Sequence, residues 1–396
     1  MEQALQLALE WSKSNMPEKA QIQVKRSAGR TPLLLIDLPG ERNGNVLMYG
    51  HLDKQPEMEG WDDDLGPWKP VLKDNKLYGR GGADDGYALF SSLTVFNALM
   101  EQKVALPRIL ILIEFSEESG SPDLPHYMDL CADQIGSPDL IICLDSGTGD
   151  YQRLWTTTSL RGLIGGTLRV DVLKQGIHSG SSSGYVPSSF PEYRVEETSK
   201  MIGILGEQVV EEFPWIDDMR PSTADPLEGV LRRTWKPALS IVGAEGLPPA
   251  SNAGNVLRPF TSLKFSIRIP PMVDPTEAGK AIERVLTQNQ PYGAKISLEL
   301  NEAAAGWNAP KTADWLNDSM QKASETFFQQ PACSISEGGT IPFMAMLGNK
   351  FPETQFMITG VLGPGSNAHG PNEFLHIPYG KKLTACVAGI LRDFPG

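Results

Sequence analysis

Four places in this chain set acidic or imidazole side chains at the ends of apolar runs, and a fifth adds an imidazole in a turn. Asn45 to Gly50 leads into His51-Leu52-Asp53, and Leu77 to Gly82 leads into Ala83-Asp84-Asp85-Gly86. Ile109 to Phe115 leads into Ser116-Glu117-Glu118-Ser119-Gly120-Ser121, and Leu140 to Leu144 leads into Asp145. A late Gly-rich turn, Gly363 to Gly370, carries His369. Imidazole and carboxylate are the ligands that suit zinc and its neighbours. Carboxylates collected at one place raise one another's pKa unless a cation neutralises them. The simplest account of so many is a metal site with one carboxylate to spare for catalysis.

Each feature also has a plainer reading. His51 and Asp53 are two apart, so in an extended segment they point the same way and Asp53 can hold a ligating imidazole. Alone, that spacing is weak. Asp84-Asp85 follows a glycine pair and reads either as a helix cap or as a carboxylate held between two metals. Glu117 and Glu118 end an apolar strand and are expected to point in opposite directions, one to a metal and one to substrate. Their plainer role is a solvated strand end, and that of His369 is a surface histidine. Gly79-Arg80-Gly81-Gly82 does not fit GxGxxG, and acidic residues follow it, which argues against a nucleotide loop. His126 and His376 read as structural.

The elements that must position these residues follow from periodicity. Residues 2–12 have helical spacing, as do residues 84–102, where Leu89, Leu93, Phe96, Leu99 and Met100 supply apolar positions. Leu33–Leu38, Val46–Tyr49, Ile109–Phe115 and Leu140–Leu144 read as strands. Runs so wholly apolar belong to a sheet covered on both faces. This rhythm predicts a doubly wound α/β domain, with sites beyond the carboxyl ends of its strands. After Trp155 the character changes. Gly162–Leu173 alternates like the edge of an antiparallel sheet, Glu192–Glu212 and Pro275–Gln288 are helical, and Ala238–Val242, Ser262–Ile269 and Lys295–Leu300 are strands. The expectation is a catalytic domain of residues 1–158 and 305–396, interrupted by an inserted α+β lid or dimerisation domain of residues 159–304.

The chain has 396 residues and a net charge of −13. That charge repels a polyanion, and no basic stripe stands out, so nucleic acid is not an expected partner. No apolar run approaches the ~20 residues of a membrane span. Its four cysteines form no CxxC pair and read as buried free thiols, consistent with a reducing cytoplasm. The N-terminal segment carries Glu2 and Glu10 and no basic region, unlike a signal peptide.

Together the motifs resemble the M20 family of metallopeptidases, which includes carnosinase-type dipeptidases, aminoacylases and desuccinylases. The resemblance spans nearly the whole chain. His51-Leu52-Asp53 is similar to the family's HxD, Gly79 to Gly86 to its GRGxxDxKG, Glu117 to Ser121 to its EExGS, and His369 to its late histidine. It implies two zinc ions per chain, with manganese or cobalt as alternatives. His51 and Asp145 would hold one ion, Glu118 and His369 the other, and Asp84 would bridge. Glu117 would be the general base, Asp53 would orient His51, and the Asp84–Asp85 peptide would be cis. Gly176 to Gly180 resembles the segment whose histidine, here His178, stabilises the oxyanion in the partner subunit's site. Phe265 to Pro270 and Glu337 to Pro342 resemble elements that hold a substrate carboxylate, through Arg268, Thr340 and Gly339. Without the resemblance, Arg268 reads as a surface charge and His178 as a loop histidine.

The implied reaction is hydrolysis of an amide bond in a small substrate with a free carboxylate, by a homodimer. Asp145, being aspartate, is similar to the dipeptidase and aminopeptidase branch, which favours a dipeptidase. An N-acyl-amino-acid deacylase is the alternative. A non-catalytic binding protein on this fold would have lost the base or a ligand, and all are present here.

Overall fold

The computed structural model describes residues 1–171, 201–206, 221–253, 258–288, 290 and 293–395. The first part of the chain supplies helix α1 (Glu2–Asn15), strands β1 (Gln21–Lys25), β2 (Leu33–Leu38), β3 (Asn45–His51), β4 (Val71–Lys73) and β5 (Lys76–Tyr78), and helix α2 (Ala88–Glu101). Strand β6 (Arg108–Glu114), helix α3 (Leu124–Leu130), and strands β7 (Leu140–Cys143) and β8 (Trp155–Leu160) follow. Next come β9 (Gly162–Asp171), helix α4 (Pro226–Thr234), β10 (Ala238–Glu245), β11 (Phe260–Ile269), helix α5 (Pro275–Thr287) and β12 (Lys295–Ala304). The chain ends with β13 (Trp307–Asn308), helix α6 (Asp314–Phe328), β14 (Cys333–Glu337), helix α7 (Pro342–Lys350), β15 (Gln355–Ile358), β16 (Phe374–His376) and helix α8 (Ile377–Asp393).

A six-stranded sheet in the order β1-β2-β6-β3-β7-β15 forms the centre, with β6, β3, β7 and β15 parallel. Its strands are apolar on both faces for a reason visible in β6. Side chains alternate along a strand. Ile109, Ile111 and Ile113 enter one core with helices α2, α6 and α8, while Leu110 and Leu112 enter a second core with α3 and α7. Val46 and Met48 of β3 join the first core, and Leu47 and Tyr49 the second. Each fully buried side chain of this size contributes about 1.5–3 kcal/mol. The sheet is therefore doubly covered, as expected.

Two smaller sheets fix the ends of the site. Strand β16 pairs with β5, aligning Phe374 with Tyr78. That pairing brings the late turn carrying His369 onto the Gly79–Gly82 segment. Strand β8 pairs with β13 and β14, setting the Gly338–Thr340 turn beside Arg161.

Residues 162–304 build a four-stranded antiparallel sheet in the order β10-β11-β9-β12, with α5 packed on it. Strand β9 is central, paired with both β11 and β12, and not the edge its alternation suggested. Alternation reports a half-buried strand and carries no information on how many neighbours it has. The expected helix over 192–212 lies largely outside the described residues. Helix α2 starts at Ala88, four residues later than its periodicity suggested, because Asp84 and Asp85 have non-helical backbone angles.

Arg161 joins the two regions. Its buried guanidinium donates to the carbonyls of Gly338, Arg232 and Lys236. Charged hydrogen bonds of this kind contribute about 1.5–3 kcal/mol. Arg161→Met should lower stability by about 2–3 kcal/mol in a denaturant titration, and an unchanged midpoint would refute the tie.

Candidate metal centre

Strands β6, β3 and β7 are neighbours, so their carboxyl ends open on one place. His51 is the last residue of β3, Asp145 follows β7, and the turn after β6 carries Glu117 and Glu118. The fourth contributor, Asp84, comes from the turn before α2, where the Asp84–Asp85 peptide is cis. Gly50 is needed here: a Cβ would meet Ala88 Cβ at 2.5 Å and Asp85 Oδ2 at 2.7 Å.

Asp84 divides its two oxygens between two histidines. Oδ1 lies 3.2 Å from His51 Nε2, and Oδ2 lies 2.9 Å from His369 Nε2. Asp145 Oδ1 is 3.7 Å from His51 Nε2, and Glu118 Oε2 is 3.3 Å from His369 Nε2. Two triplets result, His51–Asp84–Asp145 and Asp84–Glu118–His369, each with ligand atoms within 4.8 Å of one another and with Asp84 in common. Glu117 belongs to neither triplet, although its Oε2 is 4.0 Å from His51 Nε2.

The sequence expected adjacent glutamates to diverge because a strand alternates. They do serve different sides, but β6 ends at Glu114 and Glu117–Ser119 form a tight turn. Asp53 holds that turn: Oδ1 accepts from the Glu117 N–H at 3.2 Å and Oδ2 from the Glu118 N–H at 2.9 Å. The same Oδ1 is 3.3 Å from His51 Nδ1. One carboxylate thus fixes an imidazole and both glutamates.

The electrostatics suit a missing positive charge. Burial, reinforced by Asp145, pushes the Glu117 carboxyl well above the usual range, and burial also raises Asp145. Burial opposes charge on His51, yet Asp145, Asp53 and Asp84 outweigh it and hold the imidazolium well above its ordinary pKa. Hydrogen bonds to Asp84 and Glu118 raise His369 to about 10. Burial works against ionised Asp84, but bonds from His369 and His51 prevail and hold its carboxyl below the usual range. The surrounding carboxylates thus favour positive charge at both histidines. The donor set fits divalent cations, which need those imidazoles neutral.

Several residues that sequence reasoning passed over hold this arrangement. Buried Glu114 accepts from Tyr49 Oη at 2.7 Å, Ser121 Oγ at 2.8 Å and Ser116 Oγ at 3.1 Å, locking the glutamate turn. Gln55 donates to both oxygens of Glu118. Arg80 forms a buried pair with Glu373 at 2.6 Å and donates to the carbonyls of His369 and Gly370. It thereby holds His369 in a left-handed backbone conformation, φ 64°. Tyr87 Oη donates to the Leu144 carbonyl beside Asp145. A charged residue ending an apolar strand was the available signal for Glu114, and the glycine-flanked Arg80 for its pair. Gln55 and Glu373 carried none.

Thr340 and Gly339 border the same cavity as Asp84, Glu117, Asp145 and His369, a space of about 280 Å3. Arg268 Nη1 donates to Thr340 Oγ1 at 2.9 Å. His178 lies outside the described residues. His126 contacts Ser27 Oγ, and His376 caps α8 through the Tyr379 N–H, both as structural histidines do.

The profile of peptidase family M20/M25/M40 matches residues 47–393. A cysteinylglycine-S-conjugate dipeptidase of Corynebacterium striatum is 25% identical over 362 residues, 83% of this chain and 76% of that protein. A Beta-Ala-His dipeptidase of Mus musculus is 26% identical over 379 residues, 86% of this chain and 75% of its own length. The crystal structure of human carnosine dipeptidase 1 is similar with a TM-score of 0.73 at 20% identity, covering 99% of this chain and 90% of that one. An M20 family metallo-carboxypeptidase of Sulfolobus solfataricus is similar with a TM-score of 0.76 at 17% identity, over 99% and 93%.

Cation binding at neutral pH should release protons, because both histidines must lose theirs. Calorimetric heats of zinc binding at pH 7 should therefore depend on the ionisation enthalpy of the buffer, and affinity should rise with pH. Heats identical across buffers would contradict this proton balance.

Proposed function

Because the chain belongs to peptidase family M20/M25/M40, we propose that it is a dipeptidase that holds two zinc ions, with manganese or cobalt as substitutes. The single observation that carries the reading is Asp84, aiming one oxygen at each histidine while Glu117 stays outside both triplets. His51 and Asp145 would hold one ion and Glu118 and His369 the other, with Asp84 available to both. When bound, the cations supply Lewis acidity, neutralising the carboxylates and lowering the pKa of a coordinated water from about 15.7 toward about 7.

Glu117 accepts the proton of the attacking water and returns it to the leaving nitrogen as the C–N bond breaks. Its carboxylate is close to the ligand cluster, Oε2 being 4.0 Å from His51 Nε2, without belonging to either triplet. Asp53 keeps Glu117 and His51 in register through one carboxylate. At the far end of the substrate, Arg268, Thr340 and Gly339 receive the free carboxylate. Arginine offers it a bidentate grip, and Thr340 already fixes the guanidinium. The aspartate at position 145 and the dipeptidase names of the relatives favour a dipeptide over an N-acyl amino acid.

The active unit is a homodimer, and the partner subunit's His178 stabilises the oxyanion. Support for association comes from β10, an edge strand with Leu239, Ile241 and Val242 exposed. An apolar edge strand is a template for pairing with another chain. The compartment is the cytoplasm, in keeping with four cysteines that form no CxxC pair. No helix among the described residues is long and apolar enough to cross a membrane.

A panel of dipeptides and N-acyl amino acids, assayed with each metal, tests the substrate class. Faster cleavage of the acyl compounds would replace the dipeptidase reading. Glu117→Gln should keep both cations and lose about 10²–10⁴-fold in kcat. Metal content that falls with this change would show that Glu117 is a ligand.

His178→Ala should lose about 10²–10³-fold while binding metal normally. Mixing it with Glu117→Gln subunits should restore activity, since one site of each mixed dimer then carries neither lesion. Mixed dimers that form and remain inactive would remove His178 from the opposite site.

A further inference from the structure

Lys54 follows the His51-Leu52-Asp53 segment directly, and no role above uses it. Its ammonium sits inside the turn that presents Asp84. Nζ donates to the Gly81 carbonyl at 2.8 Å and to the Asp84 carbonyl at 3.2 Å. The Gly81 oxygen also accepts from the Gly86 N–H at 3.0 Å, so the turn closes on two donors. Asp85, Asp84, Glu373 and Glu118 surround the ammonium with negative charge. The side chain lies so close over Gly81 that a Cβ there would overlap Lys54 Cδ and Cε.

Position 86 supplies a second observation. A Cβ at Gly86 would stand 3.4 Å from Lys54 Nζ and 2.5 Å from the Gly81 oxygen. The Lys54 ammonium therefore occupies space beside position 86 that a side chain there would enter. Lys54 reaches this turn from just beyond the end of β3.

We infer that Lys54 is a positioning residue for the metal centre. By drawing together the carbonyls of Gly81 and Asp84, it sets the turn from which the Asp84 carboxylate reaches both histidines. The inference rests on the proposed ligand set, with Asp84 common to both cations. Two roles for Lys54 predict opposite signs. A bystander ammonium repels incoming cations, so its removal raises their affinity. A positioning ammonium orients a shared ligand, so its removal lowers the affinity of both sites together.

The test is zinc affinity of the metal-free, full-length protein, measured by competition with a chromophoric chelator. Lys54→Met should weaken both sites by about 10–100-fold, the usual effect of losing a group that orients a ligand. His369→Ala, by contrast, should weaken mainly one site. Gly81→Ala should displace Lys54 and reproduce the double loss. In a Lys54→Ala background the same Gly81→Ala change should cost little more. The left-handed backbone at Gly81, φ 72°, is common to both arms of this cycle and cancels, and Gly81→Ala alone keeps the lysine and tests the turn where Lys54→Met folds poorly. Unchanged or tighter binding in Lys54→Met, or losses at Gly81 and Lys54 that simply add, overturns the inference. A wild-type protein that takes up no zinc overturns it together with the dinuclear reading. Two zinc ions in wild type with equal affinity in Lys54→Met overturns the inference alone.

Discussion

The structure depends on one carboxylate being shared between two imidazoles. Asp84 is buried, and burial alone would protonate it. It stays ionised because positive charge stands at each of its oxygens, as imidazolium or as a metal cation. Around it are Asp145, Glu117 and Glu118, which repel it and one another. Such a cluster is costly without cations. Each of its acidic members sits where it does because a strand end or turn brings it there, and none of those positions is favourable on local grounds.

The scaffold meets this cost with a second layer that is itself polar and buried. Glu114 takes three hydroxyl donors, Glu373 takes Arg80 and the Gly81 N–H, and Asp53 takes two backbone N–H groups. Glu373 and Asp53 take groups from segments distant in sequence, while Glu114 takes two from its own turn and one from Tyr49 on the neighbouring strand. Removing one partner of such a pair leaves an uncompensated group, which is why these networks specify geometry more than they add stability. Arg80 shows the consequence: a residue beside the Asp84 turn sets the backbone of His369, nearly 290 positions away.

The cavity beside this cluster joins the two regions of the chain. Asp84 and Glu117 form one side, while Gly339, Thr340 and Val230 border it from elsewhere. Carboxylates line this cavity on one side and Thr340, whose hydroxyl accepts from Arg268, on another. That polarity matches a molecule with a scissile amide and a free carboxylate.

The candidate ligands His51, Glu118 and Asp145 stand out in the sequence because they end or follow apolar runs, and only a strand of a doubly covered sheet is apolar on both faces, whereas Asp84 and His369 lie in glycine-rich turns. Periodicity likewise specified β2, β3, β6 and β7 to within a residue or two. Local pattern could not tell that β9 is central or that Asp84 and Asp85 lie outside the helix, since partner number and turn geometry are not periodic signals. Nor could it find Gln55 or Glu373, which are ordinary polar residues until the chain folds. Which oxygen of Asp84 faces which histidine, and which glutamate stays outside both triplets, was decided by tertiary structure alone. Those relations are distances between atoms on different elements, set by the pairing of β5 with β16 and by the adjacency of β6, β3 and β7. The sequence by itself determined which candidate ligand types are present and that His51, Glu118 and Asp145 stand at or just beyond strand ends. The packing of the sheet turned that collection into two sites with one carboxylate in common.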